Sequence, residues 1–460
     1  MIGIVAYNTY YKTYNKFERR TIMKRHKGLV LFVVVLLAVS ALLAGCGGNS
    51  AKNQGGSDAK NESQPVTINV LSSDDFAGFR KSVIPEFEAK YPNIKVNFMS
   101  VGYDSLHQKE VTALESGGDT YDVIDVDCIW TPEYVTKGYI IPVNDRITQE
   151  MKDDIVPAAL DILKYKDNYY GLPMFNDVLF FYYNEDLLKQ AGINEPPKTW
   201  DELIQQTNLM KQKGLIDYGM VWGWAQAEGL ICYYTALAHS FGGDLVDSSG
   251  KPAVNTPQNV KALQFMVDSI ANKVVDPASI TYDDRQMLNV FSQGRVPFGM
   301  NWSFAWSVFN DSNQSKVVNK IKVGLAPAGT PEVKSATCAG SMGLAVTSTS
   351  KHADEAWKFI EFLAGKDIQK KQAITAGALP IWKSLYEDKE LQEQHPALKE
   401  MSAQLDTAYN RPSIVWYNEF SNALQVEIQN ALNKSKTPQQ ALDDAQKKID
   451  EIMNNYGGKY

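Results

Sequence analysis

Few residues in this 460-residue chain could make or break covalent bonds. Its five histidines, His26, His107, His239, His352 and His395, sit in polar, helix-like or leader contexts. His107 or His239 could serve a nucleophile, but no neighbouring motif singles either out. HExxH, Walker A and GxGxxG sequences are absent. Ala339-Gly340-Ser341-Met342-Gly343 misses the nucleophile elbow, having Ala where the first Gly belongs. Asp122, Asp125 and Asp127 resemble a cation loop, yet the Gly and closing Glu of such a loop are missing, and alternation along a strand explains their spacing. Cys128, Cys232 and Cys338 form no CxxC or Cys/His cluster, so zinc is not expected, and three cysteines cannot all pair. They read as small buried hydrophobes. Paired carboxylates for glycoside hydrolysis remain open on spacing alone, so a glycan-acting enzyme stays as the alternative to a binding protein.

Binding chemistry is better supplied. There are nine Trp and 23 Tyr, and several of the Trp fall at junctions rather than within periodic helices. Trp130 closely follows Asp127, Trp222 and Trp224 flank Gly223, and Trp302 and Trp306 follow the strand-like stretch Val296 to Met300. A pyranose presents apolar C–H faces and a rim of hydroxyls. It therefore needs flat aromatic faces, with carboxylates, amides or Arg at the edge so that no buried hydroxyl is left unpaired. Ordinary core packing is the competing explanation, strongest for Trp200 and Trp357 on helical stretches.

These residues must be positioned by elements of both periods. Val66 to Leu71, Ile94 to Met99 and Tyr121 to Val126 read as strands. Between them, Asp74 to Lys90 and a stretch around Val111 to Leu114 have helical spacing. Strands alternating with helices predict a parallel α/β sheet with ligands at the carboxyl ends of its strands, where Ser72, Ser73, Asp74 and Asp127 fall. Thr199 to Glu202 reads as a capping box, and Thr437-Pro438 opens an amphipathic closing helix through Leu442, Ala445, Ile449 and Ile452. At roughly 100–200 residues per domain the length predicts two or three units.

The amino-terminal end reads as a targeting segment. Lys24, Arg25 and Lys27 precede an apolar run from Gly28 to Leu43, then Ala44-Gly45-Cys46. Met23 is a natural start for such a leader, which makes translation of residues 1–22 doubtful. Residues 1–45 hold seven basic residues and one acid; removing them leaves 46 − 7 = 39 basic and 53 − 1 = 52 acidic residues, a net charge of −13. An acidic body disfavours nucleic acid as a partner. Residues 46–65 are rich in Gly, Asn and Ser and predict a flexible tether. Leu43-Ala44-Gly45-Cys46 resembles the bacterial lipobox, which implies an acylated Cys46 and a lipid anchor on the outer face of the cell membrane. A plain membrane anchor is the competing reading.

The longer pattern resembles the sugar-binding proteins of ABC importers, extracellular solute-binding protein family one, and is most similar to its maltose/trehalose-type members. The resemblance rests on Tyr121 to Asp127 with Trp130, Gly138 and Pro142; on Tyr170 to Pro173; on Tyr182 to Leu187; on Pro196 to Leu203; on Gly294 to Met300 with Trp302; and on Arg411-Pro412-Ser413 with Tyr417. It implies a periplasmic-binding-protein-like α/β fold of two discontinuous lobes joined by crossing hinge strands. Lobe one would take 66–175 and 330–378, and lobe two 176–329 and 379–460. A ligand in the cleft would close the lobes, and permease subunits with their ATPase would receive it. The same resemblance implies that Asp127 and Asp177 accept sugar hydroxyls, Trp302 stacks, Arg411 donates, and Gly340 lies where backbone meets sugar. At Ser341 and Ser421, relatives can carry a Trp platform. Their absence puts maltose itself in doubt, with Trp222, Trp224 or Trp416 as compensating surfaces. Ser73, Asp74 and Trp130 complete the expected site. The expected protein is a monomer that takes a di- or oligosaccharide, with no cofactor and no metal; a polyol is the alternative cargo.

Overall fold

The computed structural model describes residues 65–459. Cys46, the leader before it and the tether through Gln64 lie outside the described residues. Among the described residues no helix is long and apolar enough to cross a membrane.

The strands, in chain order, are β1 (Val66–Ser73), β2 (Ile94–Val101), β3 (Val123–Asp127), β4 (Lys164–Tyr165), β5 (Asn168–Tyr169), β6 (Leu172–Pro173), β7 (Phe180–Asn184), β8 (Met220–Val221), β9 (Phe298–Asn301), β10 (Ile321–Gly324), β11 (Thr337–Cys338), β12 (Met342–Val346) and β13 (Ala408–Tyr409). They build two main sheets, ordered β2-β1-β3-β12-β6 and β10-β7-β9-β8. The expected parallel sheet is found only in part. β1 pairs in parallel with β2 and β3, but β12 runs antiparallel to both β3 and β6. The reason is topological: β12 arrives from the second sheet rather than through a helical crossover, so nothing obliges it to run with β3.

β3 is buried along its whole length, as a central strand covered on both faces should be. Helix Ala77–Lys90 buries Ala77, Arg80, Val83 and Phe87, one stripe at helical spacing. Helix Glu228–Ser240 is buried from Leu230 to Ser240 and forms the centre of the second half. The Thr199 cap forms as expected, its Oγ1 accepting from Glu202 N at 3.1 Å, but Glu202 Oε2 accepts from Lys198 N at 2.7 Å instead of from Thr199. At Thr437 the full capping box is present.

Three chain segments run side by side between the sheets. Leu179 N donates to Cys338 O at 3.0 Å, Gly340 N to Asp177 O at 3.0 Å, and Ala339 N to Tyr409 O at 2.9 Å. β11 and β13 pair in parallel within this bundle. Residues 379–384 are tied to the first sheet's surroundings: Val156 N donates to Ile381 O at 2.8 Å, and Ser384 Oγ to Asp154 Oδ2 at 2.6 Å. Helix Leu398–Leu405 is the next to join the second sheet, through Ala326 N donating to Gln404 Oε1 at 2.7 Å.

Candidate ligand-binding cleft

The ends of β1 and β3, the crossing segments and the second half enclose a cavity of about 340 Å³. From the first half come Asp74, Asp75, Phe76, Tyr103, Asp104 and Asp127; the crossing segments bring Phe175, Asp177, Gly340 and Met342; the second half supplies Gly223, Glu228, Asp284, Arg285, Trp302, Phe304 and Arg411. Among the described residues eight carboxyl groups line it (Asp74, Asp75, Asp104, Asp127, Asp177, Glu228, Asp283 and Asp284) against two guanidinium groups.

Each guanidinium is already paired. Arg411 bridges the two sides, Nη1 to Glu228 Oε1 at 2.7 Å and Nη2 to Asp127 Oδ1 at 3.1 Å. Tyr103 OH donates to the other oxygen of Asp127 at 2.8 Å, and Tyr417 OH donates to Glu228 Oε1 at 2.6 Å. Ser421 Oγ donates to Glu228 Oε2. Burial pushes the Glu228 carboxyl above its ordinary range, with Arg411 pulling the other way. Arg285 reaches across the cavity mouth to Asp75 Oδ1 at 2.9 Å.

Two further carboxyls are held by neutral donors. Asp177 accepts from Ser303 Oγ at 2.9 Å, Ser303 N at 3.1 Å and its neighbour Val178 N at 3.0 Å. Burial nevertheless pushes its pKa up to about 7. Asp284 accepts from Tyr233 OH at 2.7 Å and from Trp302 Nε1 at 2.8 Å, and burial raises its pKa to about 6. The indole of Trp302 is thus fixed by one hydrogen bond while its six-membered ring lies against Gly340. A Cβ on Gly340 would fall 2.2 Å from Trp302 Cζ3. A flat, half-buried ring amid fixed carboxylates can stack on an apolar face and hydrogen-bond a rim of hydroxyls.

Residues 71–370 match the family described as bacterial extracellular solute-binding protein. The chain belongs to that family. A probable ABC transporter-binding protein of Deinococcus radiodurans is 31% identical over 74% of this chain and 80% of its own length. An arabinooligosaccharide-binding protein of Bacillus subtilis is 25% identical over 91% of this chain and 98% of its own. Among solved structures, maltose-bound MalE3 of T. maritima superposes with a TM-score of 0.79 at 30% identity, covering 84% of this chain and all of that one.

In this solute-binding protein the cavity gathers Asp74, Asp127, Asp177, Trp302, Gly340 and Arg411 from the expected set. Six others stand elsewhere. Ser73 lies just behind: its amide donates to Asp125 Oδ2 at 2.8 Å and its hydroxyl to Asp75 Oδ2 at 3.1 Å. Ser341 Oγ accepts from Asp177 N at 2.9 Å and so braces the crossing segment. Trp130 is buried behind Tyr103, stacked at 5.5 Å with 20° between the rings, and Tyr103 takes the cavity face. Trp222 and Trp224 are fully buried and stacked on each other at 5.1 Å; the residue facing the cavity is Gly223 between them. Trp416 sits just before helix Tyr417–Leu432, buried outside the cavity lining, with Nε1 donating to Lys459 O at 2.9 Å and its ring stacked on Tyr456. It compensates for no lost platform in the cavity.

Asp125, read from sequence only as part of an alternating strand, forms a buried pair with Arg80 at 2.6 Å and thereby anchors Ser72 and Ser73 at the end of β1. Among the described residues no His, Cys, Asp and Glu cluster is arranged to hold a metal ion. Tyr103, Glu228, Asp284 and Arg285 escaped sequence reading, because each follows a turn at or near a helix start where neither period marks a face.

Proposed function

We propose that this protein captures a neutral di- or oligosaccharide in the cleft and delivers it to the permease subunits of an ABC importer. The observation that carries the reading is Trp302, its indole fixed by Asp284 and its ring lining a cavity rimmed with carboxylates. Both guanidinium groups that line it are already paired with acids, so among the described residues the cleft offers no unpaired cation to a phosphate or uronate. Neutral hydroxyls can bond to paired carboxylates without adding charge. The relatives that bind maltose and arabinooligosaccharide support a carbohydrate cargo.

The division into lobes belongs to the same proposal: 66–175 with 330–378 on one side, and 176–329 with the carboxyl-terminal part on the other. The bonds of residues 379–384 to 154–156 favour a last return near Leu398 rather than at 379. Tyr103 and Trp302 approach from opposite sides, so both meet one ligand only when the lobes are shut, and that differential contact is what shifts the population towards closure.

A thermal-shift series with mono- to tetrasaccharides and polyols tests the cargo. The true ligand at 100 times its Kd should stabilise the protein by about 2.7 kcal/mol and be recovered unchanged. Trp302→Ala should weaken that ligand at least tenfold, about 1.4 kcal/mol. Stabilisation by no saccharide would reject the sugar reading, a polyol response would replace it, and hydrolysed ligand would favour an enzyme.

Membrane attachment through Cys46 is part of the proposal, motivated by the lipobox-like Leu43 to Cys46. Two or more acyl chains anchor firmly, at about 0.8 kcal/mol per buried methylene. Cys46→Ser should leave the protein unprocessed or release it to the medium. A variant processed normally and still found with membranes would remove the lipid anchor from the account.

A further inference from the structure

Among the described residues that line the cavity, two guanidinium groups bridge its halves, and they differ in exposure. The Arg411 side chain is 1% exposed and Asp127 beside it 4%, so this bridge closes a sealed inner end. The Arg285 side chain is 50% exposed, so its bridge lies at the outer end, where a longer ligand would have to leave. Arg285 Nη2 donates to Asp75 Oδ1 at 2.9 Å and lies 3.5 Å from Asp74 Oδ1. Its guanidinium also sits over the ring of Phe304, 5.3 Å from the centroid.

The two arms of this outer bridge are held differently. Asp75 has a firm base. Ser73 Oγ donates to it at 3.1 Å, and Ser73 is itself tied to Asp125, which is paired in the core with Arg80. Arg285 is the arm that can swing. It stands in the first turn of helix Asp284–Ser292, directly after the Asp284 that fixes Trp302 Nε1. Consecutive residues of one helix start thus place the stacking ring and the outer boundary.

We propose that Arg285 is a specificity-determining residue: paired with Asp75, it ends the cleft behind a second sugar ring and selects a disaccharide over longer chains. This role rests on a saccharide occupying the cleft. The enclosed space of about 340 Å³ is at the small end of ligand sites, roughly 300–1,000 Å³, and suits a drug-sized molecule such as a two-ring sugar. A third ring must pass between Arg285 and Asp75, parting the ion pair and lifting the guanidinium from Phe304. An exposed ion pair is weak, so the limit is one of preference rather than exclusion. Alanine at 285 removes both the charge and the arm and leaves the outer end open. Lysine keeps the charge but loses the flat guanidinium that covers Phe304.

Isothermal titration of the whole mature protein tests this with two probe series, maltose to maltotetraose and arabinobiose to arabinotetraose. The readout is the ratio of the Kd for four rings to the Kd for two, which a general loss of structure would not move. Wild type should bind the two-ring member of its series more tightly than the four-ring one. Arg285→Ala should lower the ratio by about fivefold, the most that an exposed pair of this kind contributes. Arg285→Lys should lie between them. An unchanged ratio in Arg285→Ala overturns the proposal, and so does tighter binding of four rings than of two by wild type. Either result leaves the saccharide reading standing. Absence of binding by every member of both series, in wild type and variants alike, would reject that reading and this role with it.

Discussion

Arg411→Met should destabilise the fold by about 3–5 kcal/mol and weaken ligand binding at least a hundredfold. Among the described residues Arg411 joins Asp127 on the first half to Glu228 on the second; the side chains of Arg411 and Asp127 are nearly inaccessible to water and that of Glu228 is 13% exposed. Methionine fills much of the same volume but leaves two buried carboxylates without their shared cation. Tyr103, Tyr417 and Ser421 still donate to them, yet neutral hydroxyls do not offset two charges in a low-dielectric site. Glu228 then takes up a proton, because burial already raises it and the opposing pull of Arg411 is gone. The sign of the pH dependence follows. The folded pKa of Glu228 rises above its unfolded value, so the folded variant binds more protons than the unfolded chain. Stability is present at low pH and lost as pH rises through the folded pKa. The deficit relative to wild type should therefore be greatest near pH 8 and shrink towards pH 5. Arg411→Lys should fall between the two, keeping the charge but not the fork that reaches two carboxylates. Denaturant unfolding and calorimetry at both pH values check this. Wild-type stability of Arg411→Met at pH 8 would mean that the bridge contributes nothing net.

Much of the frame is written in local pattern. In the stretch from β1 to β3, β1 and β3 are largely apolar buried runs, β2 has period 2 and a 3–4 stripe marks the helix between β1 and β2, and these elements appear where the residues place them. The direction of β12 has no local signal, since pairing with β3 depends on where the chain returns from the second sheet. Site residues divide along the same line. Asp127 ends one strand and Trp302 follows another, positions that sequence can mark. Glu228 and Asp284 acquire their roles only from partners far along the chain, Arg411 and Trp302. The aromatic assignments failed for a reason that period 2 could have supplied. Trp222 and Trp224 are two residues apart after a strand, so in extended chain they share a face, and Gly223 takes the other. The shared face is the core, against Trp200 and Tyr233. Abundance of Trp thus indicated a site without saying which indole enters it.

Gly340→Val should abolish high-affinity binding, by at least a hundredfold, through Trp302 rather than through the backbone of Gly340. Gly340 has no left-handed φ, so valine meets no intrinsic backbone penalty there. Space is the constraint. A Cβ at this position lies 2.2 Å from Trp302 Cζ3, 2.5 Å from Cη2 and 3.1 Å from Cε3, well inside contact distance. The ring cannot simply yield. Its Nε1 is held by Asp284 at 2.8 Å, its amide donates to Asn301 Oδ1 at 2.8 Å, and its carbonyl accepts from Tyr182 OH at 3.0 Å. Moving the crossing segment instead would break the bond from Gly340 N to Asp177 O. Either response displaces a cavity wall, and overpacking of this kind costs about 1–3 kcal/mol of stability. Gly340→Ala should show the same effect more weakly. The double variant Gly340→Val with Trp302→Ala separates the two explanations. With the indole gone, the added side chain has room, so the valine should cost less stability than it does alone. Equal costs in the two backgrounds, measured by denaturant unfolding, would show that Gly340 is needed for its own backbone and would remove it as the support of Trp302.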